Sequence, residues 1–211
     1  MNNLNYKIKK YDFKKIVCEY LNIDDLENLS IENNNLLSEG NDQSTFYHRQ
    51  FYFNLDNDED KKFKKLYDKF IIEFISPLFE DRFIYQTYPT FRIHYKKNIA
   101  VFEFHKDKDY NHNPKTINFF LPLTKCYDTN TIWIETEENK EDYSPIICEY
   151  GNLIMFDGAN LKHGNKINET EQTRVSFDFR VLLEKDYIPN EKNSKSKNKK
   201  LIIGEYYQKL S

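Results

Sequence analysis

The sequence has few cysteines and no long apolar run. Its three cysteines, Cys18, Cys126 and Cys148, are far apart and include no CxxC pair. An odd, scattered set is typical of buried thiols in a reducing compartment rather than of a disulfide framework or a zinc site. The N-terminus has no apolar signal-peptide core, and no apolar stretch approaches transmembrane length. We therefore expect a cytoplasmic protein with no membrane partner.

An excess of charge of one sign is also lacking. The chain has 31 basic and 34 acidic residues, a net charge of −3, and the two signs are interspersed. No large electrostatic field would then attract nucleic acid, which is not an expected partner. Aromatic residues are abundant instead, with 17 Phe and 16 Tyr. A chain of 211 residues with this aromatic content folds, and its length suits one domain.

The N-terminal part predicts helices. Residues 11–22 form a short amphipathic pattern with Asp12 as a candidate N-cap. A stronger pattern covers 63–78, where apolar residues recur at i, i+3 and i+4. The polar stretch 24–45 is interpreted as irregular and exposed, and 47–55 (YHRQFYFNL) as a strand.

From Phe83 onward the pattern predicts strands. Eight short apolar or alternating runs are separated by turn residues: FIYQTY, TFRIHY, IAVFEFH, TINFFLPL, TIWIET, IICEY, NLIMFD and RVSFDFRVLL. This spacing is typical of an all-β sandwich or barrel. We therefore predict a mainly β protein, a double-stranded β-helix (jelly roll, cupin-like) with flanking N-terminal helices.

The predicted organisation is a single domain over 1–188. Its helical part covers about 1–80 and its jelly-roll core about 83–185. A polar basic linker follows at 189–200 (PNEKNSKSKNKK). Because the segment 201–211 is rich in apolar and aromatic residues, we expect it to dock back on the β-domain. The alternative for this segment is a partner-binding or dimerisation tail, and a homodimer stays open.

Two motifs carry candidate metal ligands. His105 and Asp107 lie two residues apart, on one side of a predicted strand end, and His163 follows far along the chain. A jelly roll makes strands that are remote in sequence neighbours in space. Two imidazoles and one carboxylate on one face of a metal are the arrangement that non-haem Fe(II) oxygenases use. Taken alone, each histidine is more often a hydrogen-bonded or surface residue.

The last long strand, RVSFDFR (174–180), alternates between polar and apolar residues. Period two places Arg174, Ser176, Asp178 and Arg180 on one face. Such a face ordinarily turns to solvent, but in a barrel that holds a ligand it can line a polar pocket. Arg174 could there bind a carboxylate with its planar guanidinium, and the Ser176 hydroxyl is a further donor.

These residues resemble a known family. The pattern His105-x-Asp107, His163 and Arg174-x-Ser176 resembles the signature of the 2-oxoglutarate/Fe(II)-dependent dioxygenases. The wider stretches EFHKDKDYNH, INFFLPLT, TNTIWIE and FDGANLKHGN are similar to the branch associated with streptomycin biosynthesis and related sugar loci. The resemblance covers about 83–185 and includes the terminal GEYY (204–207).

The resemblance implies that His105, Asp107 and His163 bind Fe(II), and that Arg174 and Ser176 hold the distal carboxylate of 2-oxoglutarate. Asn118 is a softer candidate for contacting 2-oxoglutarate, with an ordinary sheet amide as the alternative. The reaction would consume O₂ and form succinate and CO₂, with ascorbate as a candidate reductant. Since related halogenases replace the carboxylate ligand by a small residue, Asp107 favours hydroxylation of a small polar metabolite: a sugar, an aminocyclitol or a nucleotide-linked moiety.

Two other functions fit parts of the pattern. A metal-dependent cupin isomerase or hydrolase would keep the histidines but leave Arg174 and Ser176 without a task. A non-catalytic, sugar-binding jelly roll would use the histidines only for packing. Weaker site candidates are Glu103 and Tyr110 near the metal motif, His94 and His112 as further imidazoles, and Trp133 and Glu135 at a pocket mouth.

Overall fold

The computed structural model describes residues 1–31, 37, 43–101, 103–195 and 198–210. Its N-terminal part contains a short strand and three helices: β1 (Asn2–Asn5), α1 (Phe13–Leu21), α2 (Phe46–Asp56) and α3 (Lys62–Phe70). Within the described residues no helix has the length and apolar character needed to cross a bilayer.

The predicted helices α1 and α3 are confirmed. Asp12 caps α1 by accepting a hydrogen bond from the Lys15 amide at 3.1 Å, and Asn22 ends it in the left-handed region. In α3 the buried residues Phe63, Tyr67 and Phe70 follow the helical period. The helix continues as a π-helical turn (Ile71–Ile75) and a 3₁₀ turn (Ser76–Leu78).

The strand predicted over 47–55 is wrong, because this segment forms α2. Its apolar residues also match a helical stripe: Tyr47, His48, Phe51, Tyr52 and Leu55 are buried or half-buried. Phe51 stacks on Phe91 at 4.2 Å between ring centroids. Packing against the sheet therefore selects the helix over the strand that its aromatic content favours.

The rest of the chain is mostly antiparallel strands. They are β2 (Phe83–Gln86), β3 (Thr90–His94), β4 (Ile117–Pro122), β5 (Trp133–Ile134), β6 (Ser144–Pro145), β7 (Asn152–Phe156), β8 (His163–Gly164), β9 (Arg174–Leu183), β10 (Asn190–Asn193), β11 (Lys200–Leu201) and β12 (Tyr207–Lys209). A seven-stranded sheet has the order β1-β7-β4-β9-β2-β12, and β3 also pairs with β9. A smaller sheet has the order β6-β5-β8.

The ten-residue strand β9 organises the large sheet. It pairs along one edge with β4 and along the other with β2 and β3. Its odd-numbered residues Val175, Phe177, Phe179 and Val181 are buried in the core that the helices cover. Phe177, for example, lies 5.2 Å from Phe63 of α3 between ring centroids. The even-numbered residues consequently face the opposite side, towards the small sheet.

Two of the eight predicted strands are absent from the described residues. In IAVFEFH, the described residues form no strand, and only His105 makes an isolated bridge, with His163. The chain bends here, since the His105 imidazole bonds to the Glu103 carbonyl two residues earlier. In IICEY, Cys148 forms an isolated bridge with Cys126, and both thiols are buried and free.

The segment predicted as a polar linker, 189–200, is partly structured. Its strand β10 pairs with β11, and Lys200 forms an ion pair with Glu191 at 2.6 Å. Polar cross-strand contacts, rather than apolar packing, thus order this segment. Residues 196 and 197 lie outside the described residues.

The irregular stretch 24–45 is described only in part. Leu26 and Leu29 are buried in the core rather than exposed. The Leu29 carbonyl accepts a hydrogen bond from the Thr173 hydroxyl at 2.7 Å, just before β9. This part of the stretch is therefore fixed against the sheet.

Candidate metal centre

Three residues from different parts of the fold meet between the two sheets. His105 lies in the bridge to β8, Asp107 begins a 3₁₀ turn (Asp107–Tyr110), and His163 begins β8. Their ligand atoms lie within 4.8 Å of one another. The mutual bridge of His105 and His163, with backbone hydrogen bonds of 2.9 Å in both directions, fixes the two imidazoles side by side.

Both imidazoles are held in the tautomer that a metal needs. Nδ1 of His105 lies 2.8 Å from the Glu103 carbonyl, and Nδ1 of His163 lies 3.0 Å from the Leu161 carbonyl. A carbonyl oxygen only accepts, so each Nδ1 carries the proton and each Nε2 keeps its lone pair. The two Nε2 atoms lie 3.6 Å and 3.9 Å from Oδ1 of Asp107. Burial lowers the pKa of His163, which keeps its imidazole neutral.

The Asp107 carboxylate divides its two oxygens between different tasks. Oδ2 accepts hydrogen bonds from Arg180 Nε at 2.7 Å and from Asn118 Nδ2 at 2.6 Å. Oδ1 is the oxygen that faces the two imidazoles. Burial would raise the pKa of Asp107, but the Arg180 guanidinium outweighs it and holds that pKa well below its usual range. Asp107 is thus an ionised carboxylate with one oxygen directed at the site.

Gly158 makes this arrangement sterically possible. Its carbonyl accepts the Asp107 amide at 2.9 Å. A Cβ at position 158 would lie only 2.7 Å from Nδ2 of Asn118 and 2.8 Å from Cε2 of Phe156. The absence of a side chain in the turn after β7 therefore lets Asn118 reach the Asp107 carboxylate.

Arg174 lies on β9 in the wall of a cavity, and Ser176 lies two residues further along the same strand. This cavity is lined by His105, Asn118, His163, Arg174, Asp178 and Arg180, among others. Arg174 is 1 % exposed and donates from Nη1 to the Ser176 hydroxyl at 3.0 Å. Its Nε has no hydrogen-bond partner within the described residues. Burial lowers the pKa of Arg174, which marks an environment where an anion would be stabilising.

The other two charged residues of the even face, Asp178 and Arg180, have partners on other elements of the fold. Arg180 binds Asp107, and Arg92 binds Asp178 at 2.9 Å. The sequence placed Arg174 and Arg180 on one face and assigned only Arg174 to a carboxylate. In the structure Arg180 supports the Asp107 carboxylate, whereas Nε of Arg174 has no partner in the described chain.

The softer candidates have other contacts. His94 bonds to the Asn98 carbonyl at 3.1 Å and belongs to no ligand cluster in the described chain. Glu135 is buried and accepts the Lys162 amide at 2.6 Å, so it braces a loop. Trp133 carries the Lys166 ammonium 3.3 Å above its ring.

Tyr110 and Glu103 bond to each other at 3.1 Å beside the site, where the Tyr110 ring lies 4.9 Å from that of His105. His112 is buried against Tyr206 at 5.5 Å between ring centroids.

Sequence reasoning missed two members of the site. They are Gly158, whose lack of a side chain leaves room for Asn118, and Tyr206, which accepts a hydrogen bond from Arg180. The GEYY stretch containing Tyr206 was the available signal, since a buried tyrosine needs a partner for its hydroxyl.

The fold and the site define a mostly β protein with a candidate centre of two histidines and one aspartate. Among solved structures, the apo form of the non-haem monooxygenase ThoJ shares this fold with a TM-score of 0.50 and 11% identity. It covers 84% of this chain and 82% of that chain. The nickel complex of ThoJ matches with a TM-score of 0.45, 14% identity and coverage of 59% of this chain and 54% of that chain.

Sequence comparison assigns the family. No protein-family model matches the chain. The streptomycin biosynthesis protein StrG of Streptomyces griseus is 37% identical over 204 residues, which is 97% of this chain and 96% of that protein. The chain therefore belongs to the StrG family.

Proposed function

We propose that this protein is a biosynthetic non-haem iron oxygenase that uses 2-oxoglutarate to hydroxylate a small polar metabolite. The name of its relative, a streptomycin biosynthesis protein, supports a biosynthetic role, and the proposed substrate is a sugar, an aminocyclitol or a nucleotide-linked moiety. A double-stranded β-helix is the proposed scaffold, supported by the antiparallel sheets that both contribute to the site.

The observation that carries the proposal is a buried guanidinium beside the three candidate ligands. Arg174 shares the cavity with His105 and His163, and its Nε lacks a partner in the described chain. Its fixed neighbour is the uncharged Ser176 hydroxyl. A dicarboxylic keto acid would supply the carboxylate to Arg174 and present its other end to a metal at the ligand cluster.

Each residue then has a defined task. Nε2 of His105, Oδ1 of Asp107 and Nε2 of His163 would hold the iron. Iron and 2-oxoglutarate, when bound, supply the oxidation of a C–H bond by O₂ with formation of succinate and CO₂. Arg174 and Ser176 bind and orient the co-substrate. Because Asp107 would occupy the carboxylate position of the ligand set, that position is not open to a chloride ligand. Hydroxylation is therefore favoured over halogenation.

Binding of 2-oxoglutarate tests the proposal without the prime substrate. We expect the anaerobic protein with Fe(II) to develop a visible charge-transfer absorption when 2-oxoglutarate is titrated. Arg174→Lys keeps the charge but loses the planar fork, so the Kd for 2-oxoglutarate should rise about tenfold or more, the equivalent of about 1.5–3 kcal/mol. Arg82→Lys, at an exposed arginine, is the matched control and should bind as the wild type does.

The alternatives predict other results. A protein that binds iron but shows no absorption change or turnover with 2-oxoglutarate would be a metal-dependent cupin isomerase or hydrolase. A protein that binds no iron would fit a sugar-binding module. An unchanged Kd in Arg174→Lys would assign the co-substrate to another basic residue.

A further inference from the structure

The C-terminal segment lies beside the candidate metal centre. Its strand β12 pairs antiparallel with β2, with Tyr207 opposite Gln86. Leu201, Tyr206 and Tyr207 form a buried cluster with Ile84 of β2 and Leu182 of β9. The segment is thus fixed to the strands that flank Arg180.

The Tyr206 hydroxyl makes two hydrogen bonds in this position. It donates to Oε1 of Gln86 at 2.9 Å and accepts from Nη1 of Arg180 at 3.0 Å. The amide orientation of Gln86 is set by its Nε2, which donates to the Tyr88 carbonyl at 2.8 Å. Because Oε1 can only accept, the tyrosine proton points to Gln86 and an oxygen lone pair faces Arg180.

Arg180 is held at both ends as a result. Nη1 is bound by Tyr206, and Nε donates to Oδ2 of Asp107 at 2.7 Å. A guanidinium is planar and rigid, so fixing one nitrogen sets the direction of the other. The orientation of the carboxylate, and with it the direction of Oδ1, depends on this support.

Burial favours the same arrangement. Tyr206 is 2 % and Arg180 7 % exposed, so water competes little for these bonds. Burial raises the pKa of Tyr206, and the hydroxyl stays protonated and neutral. Each donor group in the series has one acceptor. Nε of Arg180 donates to Asp107, Nη1 of Arg180 donates to Tyr206, and the Tyr206 hydroxyl donates to Gln86.

We propose that Tyr206 is a positioning residue of the metal centre, which acts on Asp107 through Arg180. The terminal segment is then part of the site rather than an accessory edge strand. This inference rests on the proposed function only in that His105, Asp107 and His163 bind a metal ion; it does not depend on 2-oxoglutarate.

Binding of Co(II) to the metal-free, full-length protein tests the proposal. Tyr206→Phe removes one hydroxyl and keeps the ring that packs against His112 and Tyr207. We expect its Kd for Co(II) to rise about fivefold, the effect of one net hydrogen bond of about 1 kcal/mol, with a change in the d–d absorption spectrum. Arg180→Lys should raise the Kd by about tenfold or more.

Tyr207→Phe is the matched control. Tyr207 is the next residue in the same buried cluster, but the hydroxyl that accepts from Nη1 of Arg180 is that of Tyr206. It should leave the Kd and the spectrum unchanged, even if it lowers the melting temperature. In an Arg180→Gln background, Tyr206→Phe should add no further loss of Co(II) affinity.

Three results would overturn the inference. One is an unchanged Co(II) Kd and spectrum in Tyr206→Phe. Another is an equal loss in Tyr207→Phe, which would indicate that only docking of the segment matters. The third is a wild type that binds no Co(II), which would also contradict the metal centre of the proposed function. If the wild type binds Co(II) and Tyr206→Phe binds it equally well, only the role of Tyr206 is contradicted.

Discussion

Gly158→Ala should damage the metal centre without touching a ligand. The added Cβ would lie 2.7 Å from Nδ2 of Asn118, which donates to Oδ2 of Asp107 at 2.6 Å. Ordinary contacts begin near 3.4 Å, so the amide must retreat by about 0.7 Å. A retreat along the bond would leave the donor and acceptor about 3.3 Å apart, too far for a strong charge-assisted hydrogen bond.

The expected loss follows from the chemistry of that bond. A hydrogen bond to a charged group contributes about 1.5–3 kcal/mol, and a partner that orients a metal ligand typically changes metal affinity about 10–100-fold. We therefore expect the Co(II) Kd of Gly158→Ala to rise by about tenfold or more. The melting temperature of the metal-free protein should fall too, because the Cβ also crowds Phe156 at 2.8 Å.

A double-mutant cycle with Asn118→Ala separates the two effects. If the added methyl group acts on the metal by displacing Asn118, Gly158→Ala should cost little further Co(II) affinity once the amide is gone. The assay is Co(II) titration of the wild type, both single variants and the double variant. A tenfold loss that persists in the Asn118→Ala background would refute the reasoning. It would assign the effect to Phe156, whose ring lies edge-on to His163.

Two further predictions concern stability. Burial lowers the pKa of His94 and of His112 to about 3, with nearby arginines adding to the effect. Their stabilisation is therefore complete above pH 6.5 and lost as pH falls towards 3, at up to about 1.4 kcal/mol per pH unit for each histidine. Urea unfolding of the metal-free protein should show this loss between pH 6.5 and 5.5, with a smaller slope in His94→Gln; a flat profile would contradict it. Deleting residues 201–211 removes the buried Leu201, Tyr206 and Tyr207 and should destabilise the monomer by about 1.5–3 kcal/mol for each of them. An unchanged melting temperature with loss of a dimer would instead identify an oligomerisation element.

Periodic patterns were the reliable guide to the fold. The alternation in β9 and the helical stripe of α3 predicted both the element and its buried face. Prediction was wrong at 47–55, where aromatic content favours a strand and the helical stripe is equally present. The described residues of 99–105 also form no strand, although their composition favours one; Nδ1 of His105 there bonds locally to the Glu103 carbonyl.

The candidate site was predictable in its residues but not in its contacts. The resemblance to the dioxygenase signature implied that His105, Asp107 and His163 act together, and the fold brings their ligand atoms within 4.8 Å of one another. Period two placed Arg174 and Arg180 on one face, but only side-chain direction shows that Arg180 binds Asp107 and that Arg174 does not. Contacts between residues that are distant in sequence, such as Tyr206 with Arg180, leave no local pattern in a sequence.

The central claim is that one cavity holds iron on three residues and 2-oxoglutarate on Arg174. A crystal structure of the anaerobic protein with Fe(II) and 2-oxoglutarate tests it most directly. We predict iron at His105 Nε2, Asp107 Oδ1 and His163 Nε2, with the keto acid chelating the metal and its distal carboxylate paired with Arg174 and Ser176. Iron elsewhere, or a keto acid bound away from Arg174, would contradict the account.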